Sequence, residues 1–436
     1  VKNSHFVQSM IALITKILAA ASVLILNAII TRVLSLSDTG SYLTLNAFVL
    51  FWVMASANGI PQILMRWVAL RKAKGSYHDI ERNITQGMLL LLLAGGLSTC
   101  CVLLLWREPL PGAPTTKMAV LVIVWICLGL VLRVLGEAYR GLGSAGVANL
   151  VTAVNSHGVL VTLVVASMLA VLNLQYAVDL VLITEIYIVV LAVVGGAVGW
   201  RLFSEIRLAR NSNFPVEAPV KEELFSVKML KNGLMLTITE LSVYVMTQGD
   251  IWIVGRYASS SEVALYGVAA RMAGLASLVL IAMNSVLPMR MAVCIHEGKK
   301  LELQKEIKRL VTLALMAALA WLVICLLAGG WLLGTAFGRD YAAAKYFLVI
   351  LSLGHVINVA TGPCGLLLLM HHRERDLVCG TLPVLAVYLA CVFPMGRMYG
   401  AMGVAYCSAA SYALVNVVYA ILARKTTGIN TGIIGF

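Results

Sequence analysis

Two cations stand where an apolar sequence should not tolerate them: Lys16, inside the first apolar stretch, and Arg271, inside the eighth. A Lys, Arg or Asp at the centre of a membrane span costs about 2.5–3.5 kcal/mol on insertion scales, so each needs a partner or a ligand. Lys16 lies about ten residues into its stretch from one side and Arg271 about nine from the other, which puts both at mid-depth in a bilayer-sized helix. Cations there suit an anion, and the planar guanidinium adds a two-pronged grip on phosphate or carboxylate that an ammonium lacks. Salt bridges to Glu240 are the other use for them. Asn27 and Thr31 follow Lys16 at i+11 and i+15, on one helical face. The seventh stretch carries Thr237, Glu240, Tyr244, Thr247 and Gln248, with Asp250 one turn before its end. With Asn27, these amides and hydroxyls can hydrogen-bond a polar ligand, and Glu240 or Asp250 can carry a proton or a sodium ion. Asp250 fits equally a cap or an anchor at the end of its helix. Arg133 and Glu137, at i and i+4, have the spacing of a local ion pair. His355 has the setting of a hydrogen-bonded interior histidine, and the basic cluster of His371, His372, Arg373 and Arg375 suits either lipid phosphates or topology alone.

The elements that must position these groups are membrane spans. Of 436 residues, 61% are hydrophobic and 12% charged. Soluble domains carry about 25% charge, and a bilayer supplies the reason for halving it. A helix needs about 20 apolar residues to cross roughly 30 Å of hydrocarbon. Twelve stretches qualify: 8–34, 40–65, 83–106, 117–139, 147–172, 177–200, 229–254, 263–289, 310–333, 344–370, 377–396 and 401–423. The weakest are 377–396, interrupted by Pro383 and Pro394, and 177–200, which carries Asp179 and Glu185. The first, with no small-residue cleavage site before the next span, reads as a signal-anchor. The nine cysteines fall in or near apolar stretches with no CxxC pair and no His at ligand spacing, so they are expected as small buried hydrophobes, with no metal or disulfide framework.

The net charge of +13 would suggest nucleic acid in a soluble chain. Here 23 of the 33 Lys and Arg fall at the termini and in the even-numbered loops, 7 in the odd-numbered loops and 3 inside spans. The positive-inside rule accounts for that asymmetry, places both termini in the cytoplasm and removes the case for nucleic acid. Odd-numbered loops are short, the longest near Arg107 to Lys117, which leaves no room outside for a folded catalytic domain. The long inner connection from Arg201 to Lys231, with Pro215 and Pro219, divides the chain into a six-helix lobe at 1–204, a linker at 205–228 and a second lobe at 229–436.

Sliding the chain by 224 residues aligns the two halves. Arg32-Val33-Leu34-Ser35-Leu36-Ser37-Asp38 falls on Arg256-Tyr257-Ala258-Ser259-Ser260-Ser261-Glu262, Tyr42 on Tyr266 and Arg66 on Arg290. Six spans per half make the repeats parallel, as in transporters that rock two halves about a midplane site.

Several segments carry a family resemblance. Thr31-Arg32-Val33-Leu34, Ser37-Asp38-Thr39-Gly40-Ser41-Tyr42 and Asn58-Gly59 resemble the opening of Wzx-type polysaccharide flippases, within the multidrug/oligosaccharidyl-lipid/polysaccharide (MOP) exporter superfamily. Gly249-Asp250-Ile251-Trp252-Ile253-Val254-Gly255, then Glu262 to Arg271, Leu287-Pro288 and Tyr399 to Ala405 are similar to its later segments. The resemblance implies two six-helix lobes around a V-shaped cavity and alternating access for an undecaprenyl-pyrophosphate-linked glycan. In related lipid II flippases, basic residues on the first and eighth helices line that cavity, and Lys16 and Arg271 occupy comparable places. The first-helix residue here is Lys rather than Arg, and twelve spans rather than fourteen argue against the lipid II branch.

The expectation is therefore an all-α polytopic protein of the bacterial inner membrane, not an enzyme, whose substrate-binding residues are Lys16, Arg271, Asn27, Glu240, Tyr244 and Gln248. Glu240 or Asp250 would couple a proton or sodium ion. No other cofactor is expected, and no Walker-type Gly-Lys-Ser/Thr loop is present. Partners would be the lipid-linked glycan, the bilayer, and glycan polymerase and chain-length machinery. A drug/cation antiporter of the same superfamily is the main alternative, with acids dominating its cavity; a membrane-embedded glycan polymerase is the lesser one.

Overall fold

With no water to satisfy backbone groups inside a bilayer, apolar stretches of this length must close their own hydrogen bonds as helices. The computed structural model describes residues 2–57, 59–73, 76–105, 116–153, 156–173, 178–211 and 227–433. Much of the expected linker, residues 212–226, and most of the outer loop after Arg107 lie outside them. Among the described residues, eight helices are long and apolar enough to cross a membrane. The chain falls into two compact units, one of residues 1–29 and 48–237, the other of 30–47 and 238–436.

The first unit contains most of α1 (Lys2–Val33), the second half of α2 (Leu36–Ala57), then α3 (Ile60–Ala73), α4 (Tyr77–Leu105), α5 (Thr116–Gly141), α6 (Ala145–Val151), α7 (Val159–Leu172) and α8 (Leu180–Asn211). Two expected spans are broken. The stretch 40–65 ends at Ala57, and Gly59 turns the chain with φ +70° where its backbone meets that of Gly233, a conformation and a proximity that only glycine allows. The amphipathic α3 beyond it buries Leu64, Trp67 and Val68 against Ile80, Ile84, Val134, Leu135 and Tyr139. Arg71, 7% exposed, lies over the Trp67 ring and pairs with Asp79 at 2.9 Å. The stretch 147–172 is interrupted by an antiparallel pair of two-residue strands, β1 (Thr152–Ala153) and β2 (Ser156–His157), between α6 and α7. Trp125 of α5 stacks on Tyr187 of α8 with ring centroids 4.6 Å apart.

The second unit continues with the second half of α9 (Val227–Thr247), then α10 (Asp250–Tyr257), α11 (Ser260–Ala273), α12 (Leu278–His296), α13 (Lys300–Phe337), α14 (Lys345–Thr361), α15 (Cys364–Met370) and α16 (Glu374–Thr427). The expected spans 229–254, 263–289 and 344–370 are each divided: at Gln248-Gly249, by a 3-10 turn at Gly274–Ser277, and at Gly362-Pro363, where Gly362 has φ 74°. The prolines of 377–396 break nothing. Pro383 and Pro394 are accommodated in helix, and α16 reverses instead at Gly400, with φ 59° and ψ −141°. Its two arms then run antiparallel: a Cβ on Gly380 would touch Val418 and Leu422, one on Gly396 would touch Val404, and Thr381 hydrogen-bonds Tyr419. These pairs all centre on residue 400.

Two sequence expectations are visible in the contacts. The repeat offset of 224 reproduces a helix cap. Ser35 Oγ accepts from Asp38 N at 3.1 Å before α2, and Ser259 Oγ accepts from Glu262 N at 3.3 Å before α11. Glu262 closes a full capping box by accepting from Ser259 N. Contacts between polar segments also respect the expected sidedness. Inner segments meet inner ones, as in Arg207 with Glu81 and Lys300 with Thr427 O; outer meet outer, as in Lys117 with Glu185 and Arg32 with Thr335 O.

Candidate functional site

Each unit holds a cluster of polar groups at positions where an apolar helix would not place them without cause. In the first unit the cluster joins α1, α5 and α6. Arg140, in the last turn of α5, donates to the Glu137 carboxylate one turn earlier and to Asn149 Oδ1 on α6 at 3.4 Å. Asn149 in turn donates through Nδ2 to Thr15 Oγ1 on α1 at 3.2 Å, and Thr15 donates to Ile11 O. Lys16 follows Thr15. It is half-buried and, among the described residues, has neither an ion pair nor a hydrogen bond; its charged neighbour is the like charge of Arg140. Lys16 therefore keeps company with the inner end of α5, a setting its expected mid-depth position did not anticipate. Further along α1, Ser22 accepts from Thr162 of α7 at 2.7 Å, and buried Asn27 spends its amide on Val23 O at 2.6 Å.

In the second unit the cluster joins α9, α10, α11 and both arms of α16. Asp250 opens α10 just after the Gln248-Gly249 break and is 2% exposed. Its Oδ1 accepts from Ile251 N at 2.9 Å and its Oδ2 from the Tyr266 hydroxyl. The hydroxyls of Tyr388, on the first arm of α16, and Ser408, on the second, are buried beside it, with Ser408 directed to Asp250. No ion pair involving Asp250 is found among the described residues. A buried carboxylate without a cationic partner is stable only with a proton or a bound cation to neutralise it. The cap or anchor reading of Asp250 fits this environment less well, since the residue faces the interior and not a helix end in water.

The remaining expected residues lie on the same elements. Tyr244 is buried on α9 and donates its hydroxyl to Ala47 O at 2.8 Å, while Trp252 donates to Thr44 O, so both pin α9 and α10 to the start of α2. Tyr244 lies within the electrostatic reach of both Arg271 and Asp250. Arg271 is half-buried in the last turn of α11, donating NH1 to Gly267 O at 3.1 Å, just before the 3-10 turn. Glu240 and Gln248 are half-buried on and just after α9. His355 is hydrogen-bonded in the interior, its Nδ1 2.9 Å from Ser277 Oγ and its ring against Tyr412. Lys16 and Asn27 belong to the first unit; Arg271, Glu240, Tyr244, Gln248 and Asp250 belong to the second. Sequence reasoning missed Arg140, Asn149, Tyr266, Tyr388 and Ser408. Arg140 was hidden by being counted as an inner-loop charge, and the others are uncharged polar residues, which hydropathy does not single out.

Against known families, residues 1–291 match the family model described as polysaccharide biosynthesis protein. The chain belongs to the polysaccharide biosynthesis protein family. No curated protein matches the sequence. Among solved structures, this family member is similar to an inward-facing multidrug resistance MATE family transporter of the MOP superfamily, with TM-score 0.71 and 14% identity over 96% of this chain and 98% of that one. An outward-facing form gives TM-score 0.68 at 14% identity over 97% and 95%. A MOP superfamily transporter from Pyrococcus furiosus, whose structure is described as having a binding pocket of reverse polarity, gives 0.66 at 14% over 97% and 95%. The polysaccharide biosynthesis family member is thus an all-α, multi-pass membrane protein with the MATE-like fold.

Proposed function

We propose that the protein flips an undecaprenyl-pyrophosphate-linked oligosaccharide from the cytoplasmic to the outer leaflet of the bacterial inner membrane, by alternating access, for surface polysaccharide assembly. The observation that carries the reading is Lys16: a half-buried ammonium with no partner among the described residues, in a chain of the polysaccharide biosynthesis family. A cation so placed is stabilised by an anionic ligand. A sugar chain cannot cross hydrocarbon unaided, because each unpaired hydroxyl costs roughly 4–8 kcal/mol against an alkane-like phase. The protein supplies a polar path for the head group while the polyprenyl tail stays in lipid. Lys16 and Arg271 hold the diphosphate, and Asn27, Glu240, Tyr244 and Gln248 contribute hydrogen bonds to the path. The inside-negative potential favours outward movement of negative charge by roughly 2.3 kcal/mol per charge per 100 mV. Asp250, with Tyr266, Tyr388 and Ser408, carries the coupling proton or sodium ion. Polymerase and chain-length proteins take up the product outside.

The test is surface glycan display in a deletion strain complemented with wild type, Lys16→Ala or Arg271→Ala at matched expression. Wild type should restore display, and both variants should leave the lipid-linked unit inside. Display untouched by the deletion would favour a second reading, a drug/cation antiporter, which buried Asp250 would also suit; resistance to cationic dyes would then fall in the deletion strain.

A further inference from the structure

The break between α14 and α15 at Gly362-Pro363 ends a helix inside an apolar span, and a helix end leaves its last four carbonyls without intrahelical donors. Hydrocarbon offers no water to satisfy them, so each needs a partner from elsewhere in the protein. All four have one. Asn358 O accepts from Thr361 Oγ1 at 2.7 Å and Val359 O from Gly362 N at 3.1 Å, both local. The other two donors come from the segment that follows α16. Ala360 O accepts from Ile433 N at 3.1 Å, and Thr361 O accepts from Thr431 Oγ1 at 2.9 Å. That segment, 428–433, is tied to α13 as well: Asn430 N donates to Gln304 Oε1 at 2.9 Å, and Lys300 donates to Thr427 O just before it. Ile429 and Thr431 are each 1% exposed, so the segment is packed into the protein and does not lie on its surface. It touches the break itself, since a Cβ on Gly362 would lie 2.5 Å from Thr431 O.

We infer that residues 428–433 are a latch that holds α14 and α15 bent, and that releasing it lets the two join as one helix. The proline alone does not oblige the break. Pro383 and Pro394 sit within continuous helix in α16, where the surroundings meet the freed backbone groups. Gly362 has φ 74°, a conformation that glycine holds without steric cost and leaves as readily for the helical region. In a continuous helix Ala360 O would accept from Cys364 N and Thr361 O from Gly365 N, by the i to i−4 spacing. In the bent form Cys364 N donates to Gly362 O at 2.8 Å, and Gly365 stands in the first turn of α15, where no intrahelical acceptor exists. The same two carbonyls thus have two sets of donors, and each set excludes the other. The straight form lacks one bond, because Pro363 has no N–H to give Val359 O. Two discrete arrangements result: bent with the segment docked, and straight with it released. Coupling between them is reciprocal, so whatever straightens the helix also frees the segment. His355 and Asn358 of α14 both hydrogen-bond Ser277 Oγ, at the turn that divides α11 from α12, so a change of bend is passed to a second broken span.

The experiment follows backbone hydrogen exchange by mass spectrometry in the full chain in phosphatidylcholine nanodiscs, comparing peptides that cover 428–432 with peptides that cover 359–367. Ile433→Pro removes one donor of the latch, and Thr431→Val removes the other. Each should speed exchange in 428–432 by about fivefold, the shift expected of one net hydrogen bond, and slow it at Cys364 and Gly365. Pro363→Ala gives Val359 O its missing donor and should act from the other side, with faster exchange in 428–432 and slower exchange at the break. Ile433→Ala keeps the N–H and should match wild type. Opposite changes in two segments are a result that misfolding cannot imitate. Faster exchange at both segments in Ile433→Pro and Thr431→Val would reduce the segment to a static brace and overturn the latch. Unchanged exchange in 428–432 of Pro363→Ala would overturn it too, since the bend and the docked segment would then be independent.

Discussion

The polar clusters of the two units are opposites. The first unit gathers cations around one carboxylate, on helices α1, α5 and α6, at the inner end. The second gathers hydroxyls around one carboxylate that has no paired cation among the described residues, on α10, α11 and α16. A duplicated chain would be expected to carry the same chemistry twice, and the repeat is preserved where geometry is at stake: Ser35 and Asp38 cap α2 as Ser259 and Glu262 cap α11. The shared cap and the unlike clusters show that the two units keep a common local geometry while differing in the charges they bury.

That division can be broken most sharply by neutralising each cluster in turn. Asp250→Asn should reduce export by more than about tenfold and abolish its response to proton and sodium gradients, while farnesyl pyrophosphate affinity stays within about twofold of wild type. Lys16→Gln should do the reverse, weakening the probe and leaving whatever transport remains responsive to the gradient. Transport assays in proteoliposomes with imposed gradients, paired with titration of farnesyl pyrophosphate, as a diphosphate probe, into the protein in nanodiscs, separate the two. If Asp250→Asn weakens the probe as much as Lys16→Gln does, the clusters are one site functionally and the comparison fails.

A smaller effect tests whether the second cluster depends on the reversal in α16, whose arms supply Tyr388 and Ser408. At φ 59° and ψ −141°, Gly400 occupies backbone space that other residues enter only at about 1–3 kcal/mol. Gly400→Ala should lower stability in detergent by that amount and blunt gradient dependence without changing probe affinity; a variant with wild-type melting behaviour would mean the turn is not strained. The smallest effect concerns the repeat itself. Removing a Ser N-cap costs about 1 kcal/mol, so Ser35→Ala and Ser259→Ala should lower stability by equal amounts in thermal denaturation. Ser259→Ala costing no more than an ordinary surface substitution would argue that its capping box does not hold the start of α11.

How much of this was legible beforehand follows from what hydropathy can and cannot register. The contacts of Lys117 with Glu185 and of Lys300 with Thr427 agree with the sidedness read from loop charges, because topology is written in composition. Lys16 and Asp250 stood out because charge in an apolar run is costly anywhere. The breaks at Gly59, between α6 and α7, at Gln248-Gly249, at Gly274–Ser277 and at Gly362-Pro363 did not stand out, since a window of twenty residues averages over a two-residue interruption. Pro383 and Pro394 misled in the opposite direction: a membrane helix can absorb a proline when neighbouring helices satisfy the freed backbone groups. Arg140 was invisible for a different reason. One Arg in an inner loop is what topology demands, and only Asn149 and Thr15 reveal that it faces inward.

The reversal at Gly400 has a consequence for biogenesis. With a single residue joining them, the two arms of α16 leave no tether long enough for one to wait in water while the other enters lipid. The pair must therefore insert together, as a preformed helical hairpin, late in synthesis. Its tip is a single tight turn, with Met398 and Tyr399 exposed beside it.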